Sequence, residues 1–430
     1  MKTDQIQKVH KDWYKLDLSA IVYPTLQRRD FSSVYRLSVL LKEDIDPEIL
    51  QRAVNLTMPR FPTYKAAIRK GVFWRYLEPN DRPGPFVQED VKNPCQPMHF
   101  KGNNRYLVRI YYYRNRIALE AHHSLGDGTG GMCVLQTLTA TYLRLKGHSE
   151  IENGGFVLDI LGIPDPGELE DAYMKYANAK VCPPRPGEKT YRVRGTKEPL
   201  YTLNIIDGIM SVSEVMRVAK SYNATITEYL NSVLLYALMQ KQESEWHLKL
   251  RPVKIAMPVN LRRFFPSRTL RNFITMIYPG IDPRLGEYTF EEIVTQVHNY
   301  MRYYLNEKLL RGDITTNAET QRNPFIRIVP LFIKDLVVRQ FYTKIQDKNS
   351  SAGLTNMGAL KVPETMKPYI ERFDIYMGQP FSTRTNCAIA SFEDILTINF
   401  ASSIAETDVE RLFFRKLVQD GIHVKIESNR

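Results

Sequence analysis

Hydrophobic and polar positions along the chain alternate between two periods. Residues 34–41, rich in strand formers, read as a strand. Asp46 and Pro47 then supply a cap and a first-turn proline, and Ile49, Leu50, Ala53 and Val54 fall on one helical face until Pro59 and Pro62 stop it. Turn signals at Lys70-Gly71 and at Arg114-Asn115-Arg116 predict two strand pairs, 66–68 with 72–76 and 106–113 with 117–121. From about Thr129 the period changes again. Met132, Leu135, Leu138, Tyr142 and Leu145 recur at helical spacing, and Gly147 closes the element.

Residues 148–199 shift to glycine, charge and proline, with Pro164, Pro166, Pro183, Pro184 and Pro186, and read as a long crossover carrying one helix near 169–177. The pattern restarts with a strand at 201–206 and a helix opened by a capping box, Thr225 to Glu228, with Leu230, Val233, Leu234, Ala237 and Leu238 on its apolar side. Strands follow at 253–258, 351–356, 387–391 and 396–400, helices at 290–309 and 325–345, and a second capping box, Thr407 to Glu410, opens the last helix. The expected fold class is mixed α/β in two halves, 1–150 and 200–430, joined by a linker at 151–199. No short repeat is visible.

Composition changes this picture little. At 430 residues, 43% hydrophobic and 25% charged, the chain has core material for two domains. The first eight residues contain no apolar stretch, and the apolar run at 326–338 is interrupted by Arg327, Lys334 and Asp335, so we expect a cytoplasmic protein without stable membrane insertion. Cys95, Cys133, Cys182 and Cys387 are scattered, which argues against a disulfide framework or a zinc site and for small core fillers. The net charge of +12 favours an anionic partner or a phosphate-bearing substrate. The basic residues are dispersed and carry no nucleic-acid-binding signature, so no nucleic acid is expected.

The chemistry concentrates in His122-His123-Ser124-Leu125-Gly126-Asp127-Gly128, at the junction of a strand and a helix, where a turn exposes side chains held by rigid elements. Histidine titrates near neutrality and can take a proton from a hydroxyl or amine. Adjacent residues on a strand point to opposite faces, so one histidine at most does this work, and a metal shared by both is disfavoured. Asp127 either orients a histidine or forms an ion pair that fixes the loop. Gly126, Gly128, Gly130 and Gly131 either admit a close approach or make tight turns. A phosphate loop is absent, and Ser124 lacks the GxSxG elbow of a serine hydrolase.

This HHxxxDG segment resembles the motif of the chloramphenicol acetyltransferase-like superfamily, and stand-alone bacterial alcohol acetyltransferases most. Trp13-Tyr14-Lys15-Leu16-Asp17, Arg60-Phe61-Pro62, Pro258-Val259-Asn260-Leu261-Arg262-Arg263-Phe264-Phe265-Pro266 and Thr269-Leu270-Arg271-Asn272-Phe273 extend the resemblance over nearly the whole chain. It implies two related halves, each a mixed sheet flanked by helices, with an active-site tunnel between them. It further implies His123 as general base, Asp127 turned away to pair with an arginine of the second half, for which Arg262 is the candidate, and His122 and Gly128 as structural members of the motif. Thr355 and Asn356 are the expected oxyanion or substrate contacts. The plant branch carries a DFGWG loop and a following proline; only Asp374, Gly378 and Pro380 of 374–380 match it, so Asp374 is expected to be structural.

The implied reaction moves an acyl group, acetyl first among candidates, from acyl-CoA as co-substrate to a small alcohol or amine, without a covalent acyl-enzyme, a metal or a permanently bound cofactor. Two alternatives stand beside it. One is a condensation or acyl-transfer enzyme of natural-product or lipid biosynthesis that takes its donor from an acyl carrier protein. The other is a non-catalytic binding protein of the same fold.

Overall fold

A computed structural model describes residues 13–27, 31–180, 188–245, 247, 249–344, 349–378 and 383–430. The N-terminal eight residues, Cys182, Pro183, Pro184, Pro186, Ile345 and Pro380 lie outside the described residues. Among the described residues the fold has two principal sheets, each packed against helices, and a small three-stranded sheet of Tyr14–Lys15, Arg75–Pro79 and Ala66–Lys70.

The first principal sheet runs Ile370–Met377, Val34–Leu41, Arg116–His122, Val108–Tyr113, Val87–Glu89, antiparallel except for the parallel edge pair 87–89 with 108–113. Strand Val34–Leu41 is buried at every position, Arg36 included, whose guanidinium pairs with Glu120 and Asp90. The helix Gly128–Leu145 is buried from Gly130 to Leu143, beyond the single apolar face that the periodicity predicts, because it is enclosed between this sheet and the helix Pro47–Thr57.

The second sheet runs 274–277, 253–260, 352–359, 385–392, 395–402, 204–211, 425–428. Strand Ala352–Ala359 lies parallel to both of its neighbours, so the sheet is mixed. Helix Ile226–Ser244, whose Thr225/Glu228 capping box forms as predicted, covers one face together with Phe290–Tyr304 and Asp408–Gln419.

Strand Ile370–Met377 comes from the 200–430 segment but completes the first half's sheet beside Val34–Leu41. A division at 151–199 therefore does not describe this sheet, because the halves share a strand. The strand hides in the sequence because it buries Arg372 and Asp374, which bond each other at 3.3 Å. Asp374 thus sits in a strand, paired in register with Ser38, and not in a loop of the DFGWG kind.

Other differences have local causes. The helix expected at 290–309 is two, Phe290–Tyr304 and Glu307–Arg322, the second capped by Asn306. That expected at 325–345 is Pro324–Ile328 and Leu331–Lys344, separated at Pro330, which lacks an N–H. The capping box at Thr407 does not form, and the Glu410 carboxylate accepts instead from the Thr385 hydroxyl at 2.7 Å. Residues 151–180 are no free linker. They dock through an ion pair of Arg60 with Glu168 and through Leu270 N–H donating to the Glu168 carbonyl.

Candidate active site

Strand Arg116–His122 ends with His122 in register with Val34, and the His123 N–H donates to the Ser33 carbonyl at 2.8 Å. The pleat separates the two imidazoles. His122 is fully buried, edge-on to Phe100, with Nδ1 accepting from the Ser124 N–H at 3.2 Å. His123 lies between two tyrosines, stacked on Tyr23 at 4.8 Å between ring centroids and tilted against Tyr35 at 4.6 Å. Its Nδ1 is enclosed and has no hydrogen-bond partner among the described residues. Burial makes the cationic form costly and lowers the His123 pKa to about 4, although Asp127 and Asn272 pull it upward. Burial, and then His123 beside it, lowers that of His122 to about 3. Both rings are therefore neutral at physiological pH.

Asp127 points away from the imidazole and is saturated by protein donors. Oδ1 caps helix Gly128–Leu145 through the N–H groups of Thr129 and Gly130, at 3.1 and 3.2 Å. Oδ2 accepts from the Phe273 N–H at 2.9 Å and from Arg262 Nη1 at 2.8 Å. Arg262 also donates to the carbonyls of Thr269 and Arg271 and to Asn260 Oδ1. One carboxylate thus ties the His loop, the helix N-terminus and the 260–273 loop of the second half into one unit.

The glycines of the motif serve that contact. A Cβ on Gly130 would lie 1.9 Å from the Leu270 carbonyl oxygen, and one on Gly126 would lie 2.5 Å from it. Gly131 leaves room for the Tyr35 ring. Gly128, the first helical residue, faces Met357 of the second sheet. Close approach between the halves, rather than a turn, requires glycine here.

Four participants carry no local sequence signal of their role. Asn272 donates through Nδ2 to the His123 carbonyl at 2.9 Å and to the buried Asp17 carboxylate at 3.0 Å. Asp17 also faces Arg271 and accepts from the Ala20 N–H; its burial raises its pKa even against that arginine. Tyr23 and Tyr35 form the walls around His123. Segments 13–17 and 269–273 thus meet beneath the His loop through Asp17 and Asn272, although neither reveals this alone.

Thr355 and Asn356 point to opposite faces of strand Ala352–Ala359. Asn356 donates to the Thr227 hydroxyl at 2.8 Å and accepts from the Gly358 N–H at 2.7 Å, both structural contacts. Thr355 shares the face of Met357, which lies against Gly128, and so looks toward the first half. Among the described residues there is no group of three His, Cys, Asp or Glu side chains that could hold a metal ion.

No protein-family profile matches the sequence, and no curated protein matches it. Solved structures do match in fold. TRI101 of F. sporotrichioides, solved with coenzyme A and T-2, superposes with a TM-score of 0.63 at 12% identity, over 96% of this chain and 100% of that one. The first condensation domain of the CDA synthetase gives 0.60 at 15% identity, over 96% and 99%. The trichothecene 15-O-acetyltransferase TRI3 from Fusarium sporotrichioides gives 0.56 at 14% identity, over 95% and 94%. Along nearly its whole length, therefore, this chain has the two-lobed mixed α/β fold of chloramphenicol acetyltransferase-like acyltransferases and condensation domains.

Proposed function

We propose that this protein is an acyltransferase that moves an acyl group, acetyl being the first candidate, from acyl-CoA to an alcohol or amine, with His123 as general base. The observation that carries the reading is the His123 imidazole itself: neutral, walled by Tyr23 and Tyr35, on a loop locked by Asp127, Arg262 and Asn272. Neighbours in fold solved with coenzyme A or with C8-CoA support a thioester donor.

With Nδ1 enclosed, Nε2 is assigned the proton transfer. As the acceptor oxygen or nitrogen bonds to the thioester carbonyl carbon, its proton passes to Nε2. The carbonyl becomes an oxyanion, for which the Thr355 hydroxyl is the proposed donor. Collapse re-forms the carbonyl and breaks the C–S bond, and the departing thiolate takes the proton back from the imidazolium. Donor and acceptor would meet His123 from opposite sides of the junction between the sheets, and no acyl-enzyme forms. In this scheme Asp127, Arg262, His122 and Gly128 hold the loop and touch no substrate.

The test is thiol release from acetyl-CoA, longer acyl-CoAs and an acylated carrier protein, each with a panel of alcohols and amines. His123→Ala should keep the fold and lose about 10²–10⁴-fold in rate. An unchanged rate in that variant would sink the mechanism. Turnover with the carrier-bound donor alone would move the assignment to a condensation-type enzyme.

A further inference from the structure

Helix Leu331–Lys344 turns apolar side chains to solvent, while Lys334, Asp335 and Arg339 bond to the protein. The Asp335 carboxylate accepts from Arg75 at 2.8 and 2.5 Å and from the Thr25 hydroxyl at 2.8 Å, and Arg339 donates to the Thr25 carbonyl. Lys334 Nζ donates to the carbonyls of Phe73 and Arg327. Its apolar side chains face outward, with Phe332 73% and Leu336 60% exposed beside Ile333 and Val337. The preceding helix Pro324–Ile328 continues the stripe with Phe325, 76% exposed, and Ile328. A surface helix ordinarily turns such a stripe to the core. The hairpin tip joins it, because Leu331 N–H donates to the Val72 carbonyl and sets exposed Val72, Phe73 and Trp74 beside the helix. A contiguous apolar surface of this kind marks an interaction site.

Charge selects the occupant. Residues 322–344 hold five basic residues, Arg322, Arg327, Lys334, Arg339 and Lys344, against one acid, Asp335, and that acid is paired with Arg75. Lys334 is bonded to carbonyls, so no carboxylate cancels its charge there. A second copy of the chain on this face would bring like charges together. An anionic lipid surface satisfies both features, the apolar stripe entering the acyl boundary and basic side chains such as Arg327 beside it meeting headgroups. Among the described residues no helix is long and apolar enough to cross a membrane. We propose that the protein docks peripherally on anionic membranes through helices 324–328 and 331–344 and the 72–74 hairpin tip.

The helix rests on the short helix Val22–Leu26, which carries Tyr23, the ring stacked on His123. Docking sets the candidate site one short helix from the lipid, which suits an acceptor or acyl chain that partitions into the bilayer. That consequence rests on the acyltransferase reading; the docking does not, and its test involves no turnover.

The full-length protein is floated with vesicles of phosphatidylcholine containing about one-third phosphatidylglycerol, an anionic surface of the kind basic segments recognise, and with pure phosphatidylcholine. The expected result is association with the anionic vesicles that weakens as salt rises. The double variant Phe332→Ser/Leu336→Ser should bind at least about tenfold more weakly with an unchanged melting profile. Arg327→Glu should weaken binding to the anionic vesicles alone, by about fivefold or more. Absence of flotation, equal binding to neutral vesicles, or a light-scattering dimer that the double variant abolishes would each overturn the proposal.

Discussion

Asp127→Ala should cost stability before it costs chemistry. The substitution removes three things at once. The cap of helix Gly128–Leu145 contributes about 1 kcal/mol. The buried Phe273 N–H loses its acceptor, at about 1–3 kcal/mol. Breaking a buried ion pair from one side costs about 3–5 kcal/mol, here at the lower end because Arg262 keeps the Thr269 and Arg271 carbonyls and Asn260. These overlap, so the net expectation is about 4 kcal/mol, a large share of the roughly 5–15 kcal/mol of a folded domain. Asp127→Asn keeps an oxygen for the cap but turns an amide toward the Arg262 donors, and should be milder by about 1 kcal/mol. Urea unfolding of the three proteins, compared at a common slope, measures both differences. A loss below about 1 kcal/mol in the alanine variant, in place of the ion-pair cost expected, would refute the tie between the halves. Wild-type stability combined with a rate loss equal to that of His123→Ala would instead make Asp127 part of the chemistry.

Because burial lowers the His123 pKa to about 4, the base form that the proposed mechanism requires persists well below neutrality and is lost only as pH falls through that value. Proton NMR should show the His122 and His123 ring signals unshifted between about pH 5.5 and 8, and kcat/KM should lack an acid limb near 6.5; an inflection there contradicts the burial argument. Gly130→Ala should destabilise by about 3 kcal/mol or more in thermal or urea unfolding, because its Cβ meets a backbone carbonyl at 1.9 Å and not a movable side chain. Thr355→Val should lower kcat by about 10²-fold or more with KM little changed, the signature of a lost oxyanion donor, whereas Asn356→Ala should show up in unfolding curves through its lost Thr227 and Gly358 bonds.

What the sequence discloses of this fold follows from how far each element's stability is local. Helix Gly128–Leu145 has its cap, its apolar period and its terminal glycine within twenty residues, and it is legible to within one residue at the start. Ile226–Ser244 is equally clear, since both halves of its capping box lie in one turn. Strand Ile370–Met377 is not, because Arg372 and Asp374 are tolerated inside the sheet only through partners far away, among them Glu427 for Arg372. The Thr407 box fails for the same reason in reverse. Its glutamate finds a better distant partner in Thr385, and a local rule yields to a tertiary bond. Lengths suffer where a proline stands inside an apolar run, as at Pro330.

The candidate site divides along the same line. That a histidine at this strand end is the candidate for chemistry is written in seven consecutive residues, but the groups that fix its loop, Arg262, Phe273 N–H and Asn272, all belong to one segment of the second half. The first half alone offers Asp127 its cap bonds and nothing for its second oxygen. An ionised carboxylate with one oxygen unpaired in a buried place is costly, so the loop reaches its final geometry only when the 260–273 segment docks and supplies both the guanidinium and the N–H. Leu270 can approach only because Gly126 and Gly130 present no side chains, and Asn272 then reaches past them to the His123 carbonyl. The glycines, the aspartate and the asparagine are thus parts of one docking contact, and a local reading separates them because the contact exists only in the assembled chain.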